Sequence, residues 1–97
     1  MRKRVPAEPV VFLRLKIPPD GVGEATRAIR KGKGKVLDSG YGTAKDPSCA
    51  WFEVKVPEGA KVVDVVKATY TVEEAVPADR GEGRLLARQL DLLGGIA

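Results

Sequence analysis

The segment Cys49–Pro57, CAWFEVKVP, alternates on a two-residue period more cleanly than any other stretch of the chain. Ala50, Phe52, Val54 and Val56 fall on one side; Cys49, Trp51, Glu53 and Lys55 fall on the other. Successive side chains of a strand point to opposite faces, so the pattern predicts a strand with one apolar and one mixed face. How the rest of the chain covers those two faces decides the fold.

Upstream, KVLDSGYGT (35–43) reads as a strand in which Gly40 and Gly42 mark a bulge or bend. The turn AKDPS, with Pro47 at a favoured turn position, joins it to Cys49–Pro57 as a hairpin. Further upstream, PVVFLRLKIP sets Val11, Leu13, Leu15 and Ile17 against Phe12, Arg14 and Lys16, and Pro18-Pro19 ends this first strand. Between the two strands, DGVGEATRAIRKG carries Val22, Ala25, Ala28 and Ile29 at helical spacing. Asp20 is the expected N-cap, Glu24 and Arg30-Lys31 complement the helix dipole, and Gly32 is expected in the left-handed position past the end.

Downstream, Val62, Val63, Val65 and Val66 have the i, i+1, i+3, i+4 spacing of a short helix face. TYTVEEAVP alternates Tyr70, Val72 and Glu74 as a fourth strand, with a Thr71/Glu74 capping box as the competing reading; Pro77 is expected to end the element either way. ADRGEG reads as a linker, and RLLARQLDLLGG places Leu86, Leu90 and Leu93 on one face of a final amphipathic helix.

The order β-α-β-β-α-β predicts a ferredoxin-like α+β plait: a four-stranded antiparallel sheet with both core helices on one face, followed by a C-terminal amphipathic helix. The expected division is a flexible basic arm over 1–8, the plait over 9–78, and a linker with the C-terminal helix over 79–97. That fold is shared by many functions and names none of them.

Composition removes several chemistries. The chain has 97 residues, no histidine and one cysteine, Cys49. Histidine-based triads, structural zinc sites and an internal disulfide are therefore excluded. No apolar run approaches a membrane span, and the basic MRKRVPAEP is not followed by the apolar core of a signal peptide, so a cytoplasmic protein without membrane partners is expected. Abundant Glu, Lys, Arg and Val with no Asn is a composition shared with heat-adapted proteins. The carboxylates show no acid–base pairing by spacing, and no cofactor motif is complete: Gly21, Gly23 and Asp38 echo a dinucleotide fingerprint, but Thr26 stands where its third glycine belongs. The expectation is a non-enzymatic binding module without cofactor or metal.

Two surfaces are candidates for binding. The net charge of +4 is uneven, since residues 1–35 hold ten lysines and arginines against three acids. Arg2, Lys3, Arg4, Arg14, Lys16, Arg27, Arg30, Lys31, Lys33 and Lys35 are the candidates for contact with nucleic-acid phosphates. The second surface is the sheet face that carries Phe12 and Trp51. It is either an apolar docking patch for a protein partner, or the place where the C-terminal helix buries Leu86, Leu90 and Leu93. A third use of those leucines is homo-oligomerisation.

At the level of whole elements the chain resembles the propeptide domain of subtilisin-type serine proteases and the inhibitors built on it. The matching stretches are VVFLRLKIP, the glycine-led GKVLDSGY, CAWFEVKVP, and VVDVVKATYTVEEAVP, spanning about residues 9–78. The resemblance implies a protease inhibitor or folding chaperone that docks by its sheet face. Phe12, Trp51, Tyr70, Val72 and Glu74 would then lie at the docking surface, and Ala75, Val76, Pro77 and Ala78 would form the tail that enters the protease cleft.

Overall fold

A computed structural model describes residues 9–88. It has an α+β fold in which a four-stranded antiparallel sheet is flanked by three helices. The strands are β1 (Val10–Lys16), β2 (Lys35–Tyr41), β3 (Cys49–Lys55) and β4 (Val72–Ala78), and the helices are α1 (Val22–Lys31), α2 (Val62–Lys67) and α3 (Gly83–Arg88). The sheet order is β2-β3-β1-β4, and every neighbouring pair is antiparallel. Each helix crossover therefore links two parallel strands with a third strand between them.

Alternation in β1 and β3 sets up two layers. Leu13, Leu15, Ile17, Ala50, Phe52 and Val54 meet Ala25 and Ile29 of α1 and Val62 and Val66 of α2 in the main core. On the opposite face, Phe12 and Trp51 meet Ala87 of α3, with Leu86, Val76 and Ala78 at the margin. Of the two fates open to that face, the structure shows cover by the last helix.

Local details depart from expectation at several points. Asp20 does not cap α1: Pro19–Gly21 forms a single 3-10 turn, and α1 begins after Gly21 with no side-chain cap. Pro19 fixes a helical φ one turn early, so Asp20 is already inside the turn and cannot take the extended backbone of an N-cap. Gly32 is not left-handed, with φ −82°, whereas Lys33 takes φ +74°. Gly32 is required by packing instead, because a Cβ there would lie 2.9 Å from Val62 Cα. At Gly34 a Cβ would meet Val62, Val54 and Ile29 at 2.7–2.9 Å. These two glycines let α1 and its turn close onto α2 and β3.

The register shift in β2 lies between Val36 and Asp38, not at a glycine. Gly40 is bare because the Trp51 indole lies on it, with Nε1 2.5 Å from where a Cβ would be. Pro77 does not end β4 but pairs with Val11 inside it. β4 is an edge strand, where an imino acid can be accommodated on the side with no strand neighbour. ADRGEG is not a free linker either, since Gly83 opens α3 and the loop before it is bonded to β3.

Candidate functional site

The sheet face beneath α3 is built around Trp51. Its ring stacks on Phe12 with centroids 6.3 Å apart, and the Arg84 guanidinium lies over it at 5.8 Å while pairing with Asp38 at 3.1 Å. Beside it Glu53, on the mixed face of the strand, is only 2% exposed. Its carboxylate accepts the N–H of Gly81 at 2.7 Å and of Gly83 at 2.9 Å, so a strand residue caps the start of α3. The other end of α3 is held where the Ala44 N–H donates to the Ala87 carbonyl at 2.8 Å. A buried carboxylate is costly unless its oxygens are bonded, and the two glycine amides bond both. Sequence reasoning missed this role of Glu53. The signal was present in the glycines of ADRGEG, whose amides a side chain cannot shield.

The residues assigned to a docking face do not share one face. Phe12 and Trp51 are covered, and Glu74 pairs with Arg14 at 3.2 Å on the same side. Val72 and Tyr70 pack against the helix-side core instead, because β1 and β4 shift register between Arg14 and Leu15. Ala75, Val76, Pro77 and Ala78 are not a tail; they pair within β4 against Leu13, Phe12, Val11 and Val10. Leu86 joins the margin of the Phe12–Trp51 cluster, and Leu85 is the exposed leucine of α3. Leu90 and Leu93 lie outside the described residues.

The hairpin end of this face is a polar knot. Asp46 accepts from the Ser48 hydroxyl at 2.7 Å and the Ser48 N–H at 2.9 Å, and it pairs with Lys16 at 3.0 Å. Those bonds hold its carboxyl well below the ordinary carboxylate range, and Asp46 in turn raises Lys16. Burial, then Asp46, pushes the Cys49 thiol up, which makes it a poor nucleophile. No group of three or more metal-ligating side chains occurs among the described residues.

The cations divide sharply. Arg2, Lys3 and Arg4 lie outside the described residues, and Arg14 and Lys16 are engaged by Glu74 and Asp46. Arg27, Arg30, Lys31, Lys33 and Lys35 are all exposed, and none is ion-paired with a described residue. The last two turns of α1 carry three of them, the turn into β2 carries Lys33, and Lys35 is the first residue of β2. The backbone of Lys61 lies against Gly32 and brings a further exposed lysine to the same corner, which sequence separation concealed. Arg27 and Lys31 also rim a shallow groove between α1 and α2, floored by Ala28, Val65, Ala68 and Thr69.

No protein-family model matches this chain, and no curated protein matches it at a significant level. No helix among the described residues is long and apolar enough to cross a membrane.

Proposed function

We propose that the chain is a non-enzymatic binding module on a ferredoxin-like plait, working in the cytoplasm and contacting nucleic-acid phosphates through the corner formed by α1 and the turn into β2. The order β2-β3-β1-β4 with two helix crossovers supports the plait. The observation that carries the function is the division of the cations: those on β1 are neutralised by internal partners, while five on α1, the turn after it and the start of β2 are exposed and ion-paired with no described residue. Exposed, clustered cations are the electrostatic footprint of a polyanion.

Lys33 adds to this. A lysine in the left-handed region is held at a backbone cost that glycine would avoid, at the centre of the cationic corner. The experiment is fluorescence anisotropy with mixed-sequence nucleic acid as salt is raised. Binding at about 50 mM salt that weakens steeply by about 200 mM is expected, and no retention at the lower salt removes the proposal. Replacing Lys31 or Lys33 by Gln should reduce the salt slope by about one each.

The inhibitor reading from the subtilisin-propeptide resemblance ranks second. The plait order favours it, but α3 lies over part of the face that would dock, and Ala75–Ala78 are paired in β4. Failure to slow a subtilisin-type protease at high molar excess ends that reading.

A further inference from the structure

The corner offers charge without rings. The chain has five aromatic residues, Phe12, Tyr41, Trp51, Phe52 and Tyr70, and all are described. Phe12 and Trp51 stack on each other beneath α3. Phe52 is fully buried in the helix-side core, and Tyr70 packs against that core. Tyr41 is 37% exposed, but its hydroxyl donates to the Ile17 carbonyl at 2.6 Å. It also stands at the opposite end of β2 from Lys35, six strand residues or about 20 Å away.

Resting on the phosphate-binding reading above, we infer that the partner is a nucleic-acid duplex, held by its backbone and not by its bases. Single strands are bound by a cationic track combined with aromatic platforms on which unstacked bases lie. Here every aromatic ring is committed to packing or lies far from the cations. The sheet face on which a plait would offer such a platform is closed over Phe12 and Trp51.

A duplex needs no platform. It presents one charge per about 1.7 Å of axis, and each neutralised phosphate contributes more to the salt slope than in a single strand, about 0.9 against about 0.7. Arg27 and Lys31 lie on one face of α1, about 6 Å apart along its axis. Lys33 follows in the turn after α1, and Lys35 is the first residue of β2.

The test titrates the full chain against a labelled duplex of about 20 base pairs and against each separated strand. With about five phosphate contacts, the duplex should bind about tenfold more tightly at about 50 mM salt, with a log–log salt slope of about −3 to −5. Scrambling the duplex sequence should leave affinity unchanged. Trp51 emission should be unaltered on binding, because its ring stays under α3. Equal or tighter binding of the single strand, quenching of Trp51 by it, or a marked sequence preference overturns the duplex inference while leaving phosphate binding intact. Absence of binding to every probe removes both. Lys33→Gly, which suits the backbone at that position, should weaken duplex affinity severalfold without unfolding; unchanged affinity counts against the proposed surface.

Discussion

The two faces of β3 are closed by different physics. On the Ala50–Phe52–Val54 side, two helices interlock with the sheet through apolar side chains, and Gly32 and Gly34 allow close approach. On the Trp51–Glu53 side, a single helix with six described residues covers a smaller cluster and is held largely by polar groups. These are the Glu53 carboxylate, the Arg84–Asp38 pair and the Ala44–Ala87 backbone bond. Six residues of helix have little stability by themselves, so the place of this described segment depends on those fastenings. One face is a core and the other is a latched cover, and the two should fail differently.

The largest effect is expected from the core side. Phe52→Ala should cost about 3–5 kcal/mol in urea unfolding, because the cavity would lie between the sheet and both helices. A cost no larger than that of removing the latch would erase the distinction. Glu53→Ala should cost about 1–3 kcal/mol, leaving the buried Gly83 amide without its acceptor. Its signature is local: faster hydrogen exchange at Gly81 and Gly83 and a red-shifted Trp51 emission, with the amides of α1 unaffected. Global loss of protection in that variant would mean that α3 belongs to the main cooperative unit.

Smaller effects sharpen the comparison from outside both layers. Lys33→Gly should stabilise the chain by about 1 kcal/mol by relieving the left-handed backbone, while lowering phosphate affinity. Opposite signs in the thermal melt and the binding titration are the result that matters. The smallest effect concerns the Asp46 knot. Its carboxyl is depressed by Ser48 and Lys16, so its stabilising contribution is present above the ordinary carboxylate pKa. That contribution fades as pH falls through and below that range, towards the depressed value in the folded state. Asp46→Asn should therefore lower the urea midpoint slightly at neutral pH and flatten its decline below about pH 4. An unchanged acid slope would show that the knot is not a source of acid sensitivity.

Legibility followed the range of the interactions. The alternation of Cys49–Pro57 and PVVFLRLKIP and the spacing of Val62–Val66 are local patterns, and the elements they predicted are present. Gly32, Gly34 and Gly40 were legible as glycines but not in their purpose. Their reason is a neighbour distant in sequence (Val62, Val54, Trp51) that forbids a Cβ. Pro77 was misread for a similar cause, since only the sheet order makes β4 an edge that tolerates it. The cationic candidates could be named from the sequence. That Arg14 and Lys16 are engaged depended on Glu74 and Asp46, placed beside them by pairing across the sheet and by the hairpin turn.

The sequence by itself determined the main elements, their order, the apolar faces of β1 and β3 and the excess of positive charge in the first third. Periodicity and composition are properties of the chain at short range, and they survive without a tertiary structure. Only the folded arrangement decided that Trp51 and Phe12 are covered, that Glu53 caps a helix begun 30 residues later, and that Arg14 and Lys16 are paired. Each of those outcomes is a contact between residues far apart in sequence. The energy of such a contact exists only once the sheet has brought its partners together.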